Sequence, residues 1–285
     1  MKMKNIFKLS DGKKMCYAEY GDPKGKPIFL FHGNPGSRLV WGLIPDSPFL
    51  SKIRLICPDR PGYGFTDYKE NALEKWPNDI KELADSLKIR KFSIFAPSGG
   101  GPYALECAWK IPERLNNIGI FGSVGPNIPE ATKGANKPLK LLWKISNPLF
   151  FLVKLQMKIM ANSVKKNPNK VMEKLRNLEL NEEEKKIFDK PKIRNVFLND
   201  FPEAYRQDGI GSAYDSTIPA TWNIPLDKIK KKIIVWHSKN DGLVGNMSKY
   251  IADKLPNSKL IIIKNSGHLW ILENMKKILK TLTIK

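Results

Sequence analysis

With 285 residues, 41% of them hydrophobic and 10% aromatic, the chain can bury a substantial core, which excludes intrinsic disorder and fits one large domain or a core carrying an insertion. Lys and Arg outnumber Asp and Glu 49 to 28, for a formal net charge of +21, but the lysines are spread through nearly every segment. No zinc-finger, helix-turn-helix or RNA-binding signature accompanies them, so a solvated basic surface is expected and no specific nucleic-acid partner.

The basic N-terminus runs into the turn dipeptide Asp11-Gly12 and not into an apolar stretch, so no secretory signal is expected. Nowhere do about 18 apolar residues run together, as a membrane span requires. Cys16, Cys57 and Cys107 are dispersed and odd in number, which argues against a disulfide framework or a metal cluster and for a reducing, cytoplasmic compartment. Extended segments 4–9 and 14–20 flank Ser10-Asp11-Gly12-Lys13, and Asp-Gly between two such runs predicts a hairpin. Apolar runs at 27–31 and 53–57 read as buried strands, the first ending at His32-Gly33 and the second at Asp59-Arg60-Pro61-Gly62. Trp76, Ile80, Leu83, Ala84 and Leu87 share one helical face. A strand at 92–96, a helix with Ala104, Cys107, Ala108 and Ile111 inside, and a strand at 115–122 follow.

Between about residues 125 and 228 this alternation stops, and the sequence turns helical, Lys-rich and Pro-punctuated, as an insertion would. Strands at 233–236 and 260–263 resume it, each followed by a helical pattern, the last built on Ile271, Met275, Ile278 and Leu282. Alternating strands and helices imply an α/β fold, a mostly parallel sheet flanked by helices, with ligands bound at the carboxyl ends of the strands. The expected core is 1–124 and 229–285, and the expected insertion 125–228.

Ala96-Pro97-Ser98-Gly99-Gly100-Gly101 falls between a predicted strand and a predicted helix. A sharp turn there strains the serine, small neighbours permit it, and the helix N-terminus offers N–H groups to developing negative charge. A phosphate cradle is the alternative, though the Gly-Lys-Ser/Thr ending of a P-loop is missing. A reactive serine needs a base, and the chain holds His32, His237 and His268. Each taken alone is more often structural than catalytic.

These stretches together resemble the α/β-hydrolase superfamily over nearly the whole chain. The family's Gly-x-Ser-x-Gly stands here as Ala96-Pro97-Ser98-Gly99-Gly100, with alanine in place of the first glycine. The resemblance implies an α/β-hydrolase fold with 125–228 as a helical cap, a small-molecule substrate, and no cofactor or metal. It makes Ser98 the nucleophile, His268 after the last strand the base, and Asp241, in the loop 238–244, the acid, in the family's Ser, acid, His order. Phe31-His32-Gly33-Asn34-Pro35-Gly36-Ser37 resembles the oxyanion loop, so the backbone N–H groups of Asn34 and Gly99 are expected to form the oxyanion hole; a plain Asn-Pro-Gly turn is the alternative. His32 and His237 are expected to be structural, as is Asp59-Arg60-Pro61-Gly62-Tyr63-Gly64.

Haloalkane dehalogenases carry a similar His-Gly-Asn-Pro stretch, but they and epoxide hydrolases use an elbow aspartate, and Ser98 argues against both. Proline iminopeptidases typically show His-Gly-Gly-Pro-Gly, from which Asn34 departs. The reading is hydrolysis of a small or medium apolar ester. A proline iminopeptidase-like or carbon-carbon bond hydrolase, or a non-catalytic binding protein, are the alternatives. Early in the insertion, Leu141, Leu142, Trp143 and Ile145, then 149–153, run beside Lys140, Lys144, Lys154 and Lys158. A lid whose apolar side covers the site is expected; weak, salt-sensitive contact with an anionic membrane surface is the sharper alternative.

Overall fold

The Asp-Gly turn forms where the sequence places it: Gly12 adopts φ +83, its N–H donates to the Leu9 carbonyl at 3.0 Å, and the Leu9 N–H donates to the Lys13 carbonyl at 2.8 Å. In this computed structural model, which describes residues 2–44 and 50–283, that turn joins β1 (Lys2–Lys8) to β2 (Lys14–Gly21). The other strands are β3 (Lys26–Leu30), β4 (Ile53–Pro58), β5 (Phe92–Pro97), β6 (Leu115–Phe121), β7 (Ile233–Ser238) and β8 (Ser258–Ile263). Among the described residues they make one eight-stranded sheet in the order β1-β2-β4-β3-β5-β6-β7-β8. β2 pairs antiparallel with β1 and β4, and every later pairing is parallel.

Helices cover both faces, which explains why the inner strands read as unbroken apolar runs. On one face, α1 (Ala72–Ser86), α2 (Gly101–Lys110) and α9 (Met247–Lys254) pack Trp76, Leu83, Leu105 and Ile251 against Phe29, Ile94, Ile120 and Val235. On the other, α10 (Ile271–Thr283) packs Met275, Ile278 and Leu282 against Ile28, Phe95, Phe121 and Trp236. β8 lies at the sheet edge, where Lys259 and Ile262 face solvent. It therefore starts two residues before the apolar run that predicts it.

Six helices lie between β6 and β7 among the described residues: α3 (Lys137–Ser146), α4 (Phe150–Lys166), α5 (Pro168–Glu179), α6 (Glu182–Phe188), α7 (Pro191–Ala204) and α8 (Ile210–Thr217). Asparagines open three of them: Asn136, Asn167 and Asn181 accept from backbone N–H groups in the first turns of α3, α5 and α6, and Asn181 with Glu184 completes a capping box. Their own core, with Val153, Met157, Met172, Phe201 and Tyr205, takes in Tyr63 and Leu269 from the sheet side. Buried polar contacts fasten the insertion down: Glu203 to Arg38, which Asp59 of the core also holds, Asp200 to Ser37, and Asp215 to Arg60. No described helix is long and apolar enough to cross a membrane.

Candidate active site

Ser98 directly follows β5 at φ +51, a left-handed conformation that costs a non-glycine residue about 1 kcal/mol or more. The surroundings impose it, because the chain must turn sharply from strand to α2 while pressed against the loop after β3. A Cβ on Gly100 would stand 2.8 Å from the carbonyl oxygens of both Phe31 and His32, so only glycine fits that approach. Ala96, the departure from the family pattern, is fully buried within the strand.

Asp241 follows β7. Its Oδ1 accepts from the N–H groups of Leu243 at 3.1 Å and Val244 at 3.2 Å, which fixes the carboxylate and leaves Oδ2 for His268 Nδ1 at 2.7 Å. The pair is sequestered, with the Asp241 side chain 0% and the His268 side chain 10% exposed. Gly122, at the end of β6 with φ +50, makes room for it: a Cβ there would lie 2.9 Å from His268 Nδ1 and 3.0 Å from Asp241 Oδ2.

The loop after β3 brings Asn34 against the turn that holds Ser98. A Cβ on Gly99 would lie 3.1 Å from the Asn34 backbone nitrogen, so the two residues expected to form an oxyanion hole face each other across van der Waals contact. His32 braces this loop. Its Nε2 lies 2.9 Å from the Arg60 backbone N–H, which can only donate, so the ring proton sits on Nδ1 and donates to the Gly33 carbonyl at 2.9 Å. Burial, and secondarily the Arg60 cation, hold its pKa well below the ordinary histidine value, and the ring is neutral. His237 is buried at the end of β7, its Nδ1 has no hydrogen-bond partner, and burial lowers its pKa too. Neither ring carries the carboxylate contact that His268 has.

A cavity of about 450 Å³ collects Ser98, His268 and Asn34. Its walls are mainly apolar: Trp41 and Ile271 from the core, Leu139, Trp143, Met157 and Phe188 from the insertion. Arg176 reaches the wall with its guanidinium already doubly engaged by the Asp189 carboxylate. Along 139–160 the apolar side chains divide between the cavity and solvent. Leu139, Leu142, Trp143, Met157 and Met160 line the cavity, but Leu141, Phe151, Leu152, Leu155 and Ile159 face solvent.

One residue at the site escapes the sequence. Glu184 of α6, nearly fully buried, accepts from the Leu269 N–H at 3.1 Å, one residue past His268, and its carboxyl would stand 2.3 Å from a Cβ on Gly267. Asn181-x-x-Glu184 is legible as a helix start, but nothing in the sequence says that the same carboxylate grips a loop 85 residues away. Among the described residues no cluster of three His, Cys, Asp or Glu side chains could hold a metal.

Residues 26–275 match the alpha/beta hydrolase fold family. Lipase 3 of Moraxella sp. is 24% identical over 281 residues, 94% of this chain and 79% of that protein. An uncharacterized hydrolase of Saccharomyces cerevisiae is 33% identical over 154 residues, 50% of this chain; the match spans about half, 51%, of the yeast protein's length. Among solved structures, a thermophilic esterase from Thermogutta terrifontis superposes with a TM-score of 0.66 at 20% identity, over 98% of this chain and 96% of that one.

Proposed function

This chain belongs to the alpha/beta hydrolase fold family, and from that premise we propose that it is a serine hydrolase cleaving a small or medium apolar carboxylic ester through an acyl-enzyme on Ser98. The observation that carries the reading is the buried 2.7 Å His268–Asp241 contact opening, with the strained Ser98, onto one apolar cavity. In this mechanism Asp241 holds the Nδ1 proton of His268, so Nε2 presents its lone pair and takes the Ser98 hydroxyl proton as Oγ adds to the ester carbonyl. The N–H groups of Asn34 and Gly99 receive the oxyanion. Collapse expels the alcohol, which takes the proton from the imidazolium. Water, deprotonated in turn by His268, then adds to the acyl-enzyme and releases the acid and Ser98.

Residues 125–228 act as a cap in this reading, since α3, α4 and α6 supply apolar walls to the cavity. Those walls favour apolar acyl or alcohol groups, and the lipase and esterase among the similar proteins support an ester as the bond cleaved. The test is a fluorophosphonate probe with mapping of the labelled residue, followed by a panel of chromogenic esters and amides graded by acyl length. Labelling at Ser98 that His268→Ala abolishes, with turnover of apolar esters, is the expected result. A folded protein that takes no label would be a binding protein on the same fold, and hydrolysis confined to N-terminal prolyl amides would overturn the ester reading.

A further inference from the structure

α4 carries two apolar faces. Val153, Met157, Ala161 and Val164 turn inward at helical spacing and are buried. Phe151, Leu152, Leu155 and Ile159 repeat on the side about opposite, given about 3.6 residues per turn, and stand uncovered. Phe151 is 75% exposed, Ile159 60%, Leu152 54% and Leu155 47%, and Leu141 of α3 is 60% exposed nearby in the chain. Of the eleven large apolar side chains exposed among the described residues, six fall between Leu141 and Ile159. A solvated helix would place polar groups there.

The charge around this stripe has one sign. Between Glu130 and Glu173 the chain has nine lysines and no Asp or Glu. Lys144, Lys154 and Lys158 are exposed on the same two helices. A second copy of the chain docked face to face would set lysine against lysine with no carboxylate of this segment to compensate. An anionic surface with an apolar interior satisfies both halves of the pattern at once: acyl chains for the stripe, headgroup phosphates and carboxylates for the lysines.

We propose that the outward face of α3 and α4 docks on an anionic phospholipid membrane, with Phe151, Leu152, Leu155 and Ile159 entering the headgroup–acyl boundary and the lysines at headgroup level. The helix lies in the membrane plane and does not cross it. Its other side walls the Ser98 cavity, so the docked protein holds that cavity's roof against the lipid. Under the proposed reaction, this favours esters that partition into the interface.

The experiment is flotation of the full chain with vesicles of phosphatidylcholine alone and of phosphatidylcholine with about 30 mol % phosphatidylserine. Binding is expected only to the anionic vesicles, at least tenfold weaker at about 500 mM salt than at about 50 mM. Phe151→Ser/Ile159→Ser and Lys154→Gln/Lys158→Gln should each weaken it about tenfold or more. All four side chains are on the surface, so both variants should keep wild-type circular dichroism and wild-type turnover of a short soluble ester. No binding to anionic vesicles, equal binding to neutral ones, or binding untouched by the Phe151/Ile159 pair would overturn the proposal, as would a dimer dispersed by that pair. A protein that docks but turns over no ester would sink the ester reading alone, and one that turns over ester but does not dock would sink this one alone.

Discussion

Replacing Asp215 by alanine tests how far the insertion is part of the fold rather than an attachment to it. Asp215, on α8, receives three hydrogen bonds in a site closed to solvent: from Arg60 Nη1 at 2.5 Å, the Tyr63 hydroxyl at 2.6 Å and the Tyr103 hydroxyl at 2.8 Å. The Arg60 side chain is 0% and the Asp215 side chain 2% exposed. Burial, and then the Asp215 charge, push both phenols well above the ordinary tyrosine value, so both are protonated donors. The substitution strands a buried guanidinium, at about 3–5 kcal/mol for a broken buried pair, and two buried hydroxyls at about 1–3 kcal/mol each. The low ends of these ranges already reach about 5 kcal/mol, against a whole-domain stability of about 5–15 kcal/mol. Urea unfolding followed by the fluorescence of the chain's seven tryptophans should therefore find Asp215→Ala unfolded or destabilised by at least about 5 kcal/mol. Asp215→Asn, which keeps one acceptor oxygen, should fall between. If Asp215→Ala unfolded within about 1 kcal/mol of wild type, as most surface substitutions do, the claim that this network clamps α8 to the sheet would be wrong.

Asp241→Asn should keep the fold and lose about 10⁴-fold in kcat on an ester, because the imidazole loses its orienting acceptor and charge partner, whereas His237→Ala should lose less than about tenfold. The opposite ranking would remove both assignments. Glu184→Ala leaves the Leu269 N–H unpaired beside His268; kcat should drop with KM little changed, and Glu184→Gln, whose amide oxygen can still accept, should restore most of it. Equal loss in both variants would refute the acceptor role, because glutamine keeps both the volume and an acceptor oxygen. Asp200 is raised to about 7 by burial, against the Ser37 hydrogen bonds and an ordinary value of 3.8. Between those values the folded state keeps a proton that the unfolded chain has released, so this group makes wild-type stability fall as pH rises. Urea titrations at about pH 5 and about pH 8 should show a smaller fall in Asp200→Asn, and an unchanged one would contradict the shift.

The sheet was legible because both of its faces are covered. Ile28-Phe29-Leu30 and Ile94-Phe95-Ala96 alternate between two cores, so strict apolar runs replace the in–out pattern and mark their own ends within a residue or two. Edge strand β8 reads less well because both of its faces are only partly covered. The candidate site residues were legible through the same strands: Asn34, Ser98, Asp241 and His268 follow the carboxyl ends of β3, β5, β7 and β8, where a parallel sheet gathers its loops. The insertion was not. Its helices could be expected as a helical stretch, but α4 carries apolar residues on two opposite faces, and periodicity alone cannot say which of them turns inward.

Buried carboxylates mark the deeper limit. Asp200, Glu203 and Asp215 look in sequence like the acids of any solvated helix, and their partners Ser37, Arg38 and Arg60 are 155 or more residues away. Asp241 is buried as completely as Asp215, yet the two acids meet different partners. Asp215 faces a guanidinium, which keeps its charge at any accessible pH, so that pair can only hold structure. Asp241 faces an imidazole, whose charge can come and go, and it is held by two backbone N–H groups with one oxygen left for that ring. Under the proposed reaction, what separates a structural clamp from the acid of a triad is the chemistry of the partner rather than the depth of the acid, and only the fold decides which partner each acid meets.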